Sequence, residues 1–144
     1  MPTDTHTTLD ELLQRLGKND PERMADLYAE HVDWKLSWPE AEQGRSAMPA
    51  IRHRSTRADV ADHFRSLAEH HIPEEADTRI ERILVDGDDA VLQGEIRQTA
   101  RHTGRRYRAR FALHRTVEHG LITRHHVYED SLAVAGAFDP EVKA

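Results

Sequence analysis

Cysteine is absent from the 144 residues, which excludes disulfide staples, thiolate nucleophiles and cysteine-ligated metals. No apolar stretch exceeds the seven residues from Leu132 to Phe138, far short of the ~20 that a membrane-spanning helix requires. The start, Met1-Pro2-Thr3-Asp4-Thr5-His6, lacks the apolar core of a secretory signal. A soluble, cytoplasmic protein with no membrane partner is expected. Basic residues are the minority, 20 Lys+Arg against 26 Asp+Glu for a net charge of −6, which argues against a nucleic-acid partner. Aromatics are few, two Trp, three Tyr and three Phe, so each is a candidate for the core or for a ligand. A chain of this length buries roughly 70% of its extended surface on folding, enough for a core without staples. No linker, repeat or low-complexity tract interrupts 1–144, and a single domain is expected.

The first half reads as helices. Thr8 and Glu11 make a capping-box pair, and Leu9, Leu12, Leu13 and Leu16 recur at helical spacing up to Gly17. Asp20 caps a second helix, with Pro21 at its first position and a stripe of Met24, Leu27 and Tyr28. Val32-Asp33-Trp34-Lys35-Leu36 alternates as a short strand. Ser37 to Ser55 contains Pro39, Gly44 and Pro49 and has no period, which leaves two readings: a lid over a site or a mobile segment. The spacing predicts a third helix from Arg57 to Glu69 with Val60, Phe64 and Leu67 inward, His70 and His71 at its negative end and Pro73 beyond.

The second half reads as strands over Ala76–Val85, Ala90–Arg101, Arg105–Val117 and Leu121–Asp130, followed by a short helix at Leu132 to Phe138. The turns between strands are Asp86-Gly87-Asp88-Asp89, Thr103-Gly104 and Glu118-His119-Gly120. Helices followed by hairpin-linked strands mean an α+β fold with helices on one face of an antiparallel sheet. In this order, the segments Leu27-Tyr28-Ala29-Glu30-His31-Val32-Asp33-Trp34, Thr103-Gly104-Arg105-Arg106-Tyr107 and Gly120-Leu121-Ile122 leading to Tyr128-Glu129-Asp130 carry a family likeness. The chain resembles the SnoaL-like polyketide cyclases, ketosteroid isomerases and limonene epoxide hydrolases of the NTF2-like superfamily. The resemblance covers nearly the whole chain. It implies a cone, a curved antiparallel sheet wrapped around N-terminal helices with an internal pocket for a small molecule, and pairing as a homodimer.

Turn lengths set register, and register decides which side chains meet. A two-residue Thr103-Gly104 turn puts Ile96 opposite Phe111 and Gly94 opposite Leu113. A three-residue loop at Glu118-His119-Gly120 puts Leu113 opposite His125 and Phe111 opposite Val127. The inner face then carries Leu92, Gly94, Ile96, Gln98, Tyr107, Ala109, Phe111, Leu113, Val117, Leu121, Thr123, His125, Val127 and Glu129. Glu95, Arg97, Arg108, Arg110, His114, Arg124, His126 and Tyr128 face outward. A two-residue final turn would instead bring His126, Tyr128 and Asp130 inside.

The resemblance places Leu12, Leu36 and Leu113 where ketosteroid isomerase has its oxyanion-hole tyrosine, base aspartate and second aspartate. Leucines supply neither base nor donor. The limonene epoxide hydrolase positions fall on Gly94, Ile96 and Val127, with Glu95 and Arg97 one residue away and turned outward. The candidate catalytic residues left inside are His125, a titratable imidazole in an apolar wall, and Glu129, with Gln98 as another group able to orient the imidazole. They suit a cofactor-free cyclisation or isomerisation. The rival readings are a non-catalytic ligand-binding or dimeric accessory protein, with His125 bonded to backbone and Glu129 in water, and an epoxide-hydrolase-like enzyme with a rearranged site, in which a one-residue slip turns Glu95 and Arg97 inward. Candidate ligand-binding residues are Trp34, Trp38, Gln98, Tyr107, Phe111 and Leu113, with the two indoles flanking the entrance to the loop. Of the 11 histidines, the pairs His70-His71 and His125-His126 point to opposite faces, so no metal site is expected. The arginines Arg97, Arg101, Arg105, Arg106, Arg108 and Arg110 form a basic strip without aromatics on its own face, read as a solvated or dimer-forming surface.

Overall fold

The computed structural model describes residues 5–18, 20–38, 46 and 48–139. Helix α1 spans Thr5–Gly17 and buries Thr5, Thr8, Leu9 and Leu12. Thr8 lies in its second turn rather than at its cap: the hydroxyl donates to Gly120 O at 3.1 Å, while Thr5 donates to Gly87 O at 2.9 Å. These two bonds dock α1 against two sheet turns. Helix α2, Pro21–Ala25, is capped by Asp20 as expected but stops after five residues. Tyr28 therefore belongs to strand β1, Tyr28–Lys35, and not to the helix. Helix α3, Arg57–His70, opens on a complete capping box between Thr56 and Asp59, and a single 3₁₀ turn follows at Pro73–Glu75. Strands β2 (Arg79–Asp86), β3 (Asp89–Thr99), β4 (Arg106–Glu118) and β5 (Leu121–Glu129) lead to helix α4, Ser131–Phe138.

The five strands form one curved, unclosed sheet in the order β1-β5-β4-β3-β2, with β1 parallel to β5 and the other pairs antiparallel. The expected register is corrected in two places. The β3–β4 connection is four residues long, closed by Ala100 N–H to Arg105 O at 2.9 Å, so Gly94 sits opposite Phe111 and Ile96 opposite Ala109. That slip of two residues leaves every side chain on its expected face. The β4–β5 turn has only two residues, His119 (φ 53°) and Gly120 (φ 78°). Alone, such a turn inverts the last strand. A bulge at Thr123, between the pairs Val117↔Ile122 and Thr116↔Arg124, inverts it back. His125, Val127 and Glu129 thus face inward opposite Arg115, Leu113 and Phe111. Ile122, fully buried, takes the inner position expected for Leu121 and Thr123.

The core is divided. One cluster joins Leu12, Met24, Tyr28, Val32, Trp34, Val60, Phe64, Val117 and Ile122. A second joins Met48, Ala50 and Ile51 of the long loop to Ala100, Ala109, Val134, Ala137 and Phe138, with Trp38 and Tyr107 against it. Part of the expected loop is therefore core. Its residues 39–45 and 47 lie outside the described residues. Among the described residues, no helix is long and apolar enough to cross a membrane.

Candidate functional site

The inner sheet face is built in rows across the strands. One row runs Trp34, His125, Arg115, each opposite the next on β1, β5 and β4. All three are buried, Arg115 at 6% exposure. The imidazole of His125 lies flat on the Trp34 indole, with ring centroids 3.8 Å apart and planes 2° from parallel. Tyr28, at the start of β1, sets its hydroxyl 2.9 Å from His125 Nδ1. His63, one turn along α3 from Val60, packs edge-on to Trp34 at 4.8 Å.

Burial drives the His125 pKa well below the usual imidazole value, and the Arg115 charge adds to the effect. His63 is pushed down to about 3, chiefly by burial, then by Arg54, while its bond to Ala50 O opposes. Both rings are therefore neutral near neutral pH. Burial raises the Tyr28 pKa, with Arg115 pulling the other way through charge and a hydrogen bond to the phenol. Arg115 thus occupies the acceptor side of the phenol oxygen. The phenol proton goes to His125 Nδ1, and the imidazole carries its own on Nε2. His125 here is a fixed acceptor, which is not what a proton shuttle needs.

The next row is apolar: Val127, Leu113 and Leu92, facing one another on β5, β4 and β3. Beyond it come Glu129 and Phe111. Leu113, Phe111, Val127 and Ile96 face the helix side yet remain partly exposed, and Ile83 on the edge strand is 43% exposed. The helices thus close the Trp34 end of the inner face and leave an open apolar stretch next to it. Glu129 borders this stretch. Its carboxyl accepts from Ser131 Oγ at 3.5 Å, and Ser131 Oγ lies 2.6 Å from Ser37 Oγ. Burial raises its pKa to about 7, against the Ser131 bond and with help from the Asp130 charge. His125 and Glu129, expected to act together, stand four residues apart on one strand, about 13 Å of extended chain. They cannot serve one reacting atom.

Tyr107 and Gln98 face each other at the far end of β4 and β3. The Tyr107 hydroxyl is 3.0 Å from Gln98 Oε1 and 2.6 Å from His71 Nε2, so one phenolic proton is shared between two acceptors. Burial raises the Tyr107 pKa and the Glu129 charge raises it further, which places the two within electrostatic reach. His71 is kept neutral by burial, while its Nδ1 donates to Leu67 O at 2.7 Å. Gln98 and Tyr107 also line a groove of about 540 Å³ with Glu74, Glu75, Asp77, Arg97, Thr99, Arg106 and Arg108. That groove is polar, and its charges are partly spent on each other: Glu75 takes bonds from Thr99 and Arg106.

The remaining candidates are placed as follows. Trp34 is a core residue stacked on His125, and Trp38 packs partly buried beside Leu36 and Tyr107 against the second cluster. Glu95 and Arg97 pair with each other at 2.5 Å, on the face opposite the inner rows. In the arginine strip, Arg101 and Arg105 are tied to backbone carbonyls. No group of three or more metal-ligating side chains occurs among the described residues. Three site residues are not marked as such by the sequence: Tyr28 falls in the expected second helix, and nothing in the pattern singles out His63 or Arg115. Alternation of β4 puts Arg115 inside, midway between Leu113 and Val117, although the inner face read from the sequence omits it.

Comparison with known proteins agrees with this architecture. No curated protein matches the chain in sequence. Among solved structures, an NTF2-like protein from Burkholderia thailandensis is 20% identical, with a TM-score of 0.77 over 96% of this chain and 99% of that one. A putative isomerase from Bacillus subtilis is 17% identical, with a TM-score of 0.68 over 96% of each. TerC, co-crystallised with polyporic acid, is 14% identical, with a TM-score of 0.71 over 91% of this chain and 95% of that one. These likenesses concern the fold. The family model of the SnoaL-like domain matches residues 9–125. With that match spanning most of the chain, and with the helix-backed curved sheet described above, the chain belongs to the SnoaL-like domain family.

Proposed function

We propose that this domain binds a small, ring-bearing, largely apolar organic molecule on the open stretch of the inner sheet face and moves a proton on it without a cofactor, as an isomerase or cyclase. The supporting observation is the half-buried carboxyl of Glu129 at the border of the partly exposed Phe111–Leu113–Val127 surface. A general acid–base group works best when its pKa lies near the working pH, and Glu129 is raised to about 7. In this reading Glu129 takes a proton from the carbon beside a carbonyl and returns it elsewhere. The phenol of Tyr107, held protonated by burial, marks the polar end of the site beyond Glu129. Ser131 and Ser37 position the carboxylate, and the Tyr28–His125 pair holds the closed end of the site rigid. The co-crystallisation of TerC with polyporic acid supports a small organic molecule as the ligand class.

A second reading, a non-catalytic binding protein, is favoured by Leu12, Leu36 and Leu113 at the positions where the ketosteroid isomerase resemblance would put its catalytic groups. Deuterium wash-in at the carbon beside the carbonyl of 2-tetralone, followed by NMR in D₂O, separates the two. The expected result is protein-dependent exchange that is lost in Glu129→Gln. Binding of the ketone without exchange transfers the case to the non-catalytic reading. No binding at all overturns both.

A further inference from the structure

Arg115 is an internal guanidinium with no acid beside it. It is 6% exposed, forms no ion pair among the described residues, and its Nε is buried without a hydrogen-bond partner. Its neighbours across the sheet are His125 on one side and Ala90 on the other. The rings close by are neutral, so nothing there offsets the charge. Four more buried side-chain nitrogens lack a hydrogen bond among the described residues; Arg124 Nε and His126 Nε2 have Asp33 beside them, which leaves Trp34 Nε1, in the same row, and Arg54 Nε, whose charge acts on His63. A buried charge normally comes with a counter-charge, because losing water is costly unless something replaces it. A fold needing only to pack this position would use Leu or Met. These three N–H groups lack an acceptor at the same end of the interior: the Arg54 and Arg115 charges both act on His63, His63 packs on Trp34, and Arg115 lies two residues along β4 from the open Leu113–Val127 stretch.

Resting on the ligand-binding reading above, we infer that the molecule taken up here is an organic anion whose negatively charged oxygen is received by Arg115, with Trp34 Nε1 and Arg54 Nε as supporting donors. The apolar body then lies over Leu113 and Val127. Its far end reaches Glu129, about 13 Å along the strand from the His125 row. This arrangement anchors the ligand by charge at one end and leaves the other end to the proton-transfer group.

The test compares naphthalene-2-carboxylate with naphthalene-2-carboxamide, a neutral molecule of the same outline, by isothermal titration. A charge-assisted bond to a buried guanidinium predicts a preference for the carboxylate of roughly 10- to 100-fold. Arg115→Met removes the preference while amide binding persists, and Arg115→Lys retains part of it. The melting temperature of unliganded Arg115→Met is unchanged or raised, since no ion pair is lost. Equal affinity of the wild type for both probes overturns the inference and leaves the ligand-binding reading intact. A carboxylate preference that survives in Arg115→Met also overturns it. Failure of both probes to bind removes the ligand-binding reading and the inference together.

Discussion

Replacing Glu129 with Gln isolates the electrostatics of the open stretch, because the amide keeps the shape and removes the charge. The folded carboxyl has a pKa of about 7 against an ordinary 4.5. Between those values the folded chain holds a proton that the unfolded chain has released, so Glu129 opposes folding progressively as pH rises, and fully above 7. The shift corresponds to about 3 kcal/mol, and partial exposure of the side chain lowers the expected figure to about 2 kcal/mol. Below about pH 4.5 both states are protonated and the contribution is nil. Glu129→Gln is therefore expected to be close to neutral at about pH 4.5 and to stabilise the fold by about 2 kcal/mol at about pH 8.5. For a chain of this size that is a rise in melting temperature of roughly 4–8 °C. Urea unfolding of both proteins across this pH range measures it. Parallel curves throughout, or a gap that widens toward acid, would refute the placement of Glu129 as a buried carboxyl and its role as a base.

Three further outcomes follow from the geometry. Tyr28→Phe takes the donor from His125 Nδ1 and the acceptor from Arg115, so a loss near 3 kcal/mol is expected; the double change with His125→Leu should cost less than the sum of the two, and strict additivity would show that the bond is not made. Gly94→Ala would bring a Cβ within 1.9 Å of Arg79 O, forcing β2 away from β3, and a loss above about 2 kcal/mol is expected; an unchanged urea midpoint would exclude the close approach. The depressed pKa values of His63 and His125 make stability fall as pH drops below about 6.5, by up to ~1.4 kcal/mol per pH unit for each ring, since only the unfolded chain takes up the protons. Measured in the Glu129→Gln background, which removes the opposing slope, a flat profile between about pH 6.5 and 4.5 would contradict neutral buried imidazoles.

The faces of the sheet were legible in the sequence even though both hairpin registers were misread. The turn length puts Ile96 across from Phe111, and the structure offsets them by two residues, yet a two-residue shift preserves the alternation that decides inside from outside. The final hairpin reads as one longer loop where the chain combines a tight turn and a bulge; the two solutions put His125, Val127 and Glu129 on the same face, two residues apart in register, and differ in face at Leu121, Ile122 and Thr123. Tyr28 reads as helical because a capped helix with a good stripe gives no local sign of ending after five residues. The chemistry was less legible. His125 and Glu129 share a face, but the distance between them and the Tyr28 hydroxyl that occupies His125 depend on tertiary placement. Arg115 was readable from alternation, and only the general rule that arginines stay in water pointed away from it.

The paired turn and bulge at the end of β4 give this hairpin one spare residue. Loss of Thr123 would straighten β5, with Arg124 following Ile122 opposite Thr116, while His125, Val127 and Glu129 keep their partners and their side of the sheet. Smoothing the bulge with Thr123 retained would do the opposite and turn Arg124, His126 and Tyr128 into the hollow. A one-codon deletion in the gene is thus absorbed at this one point, and the furnishing of the chamber hangs on where the chain stores its surplus residue.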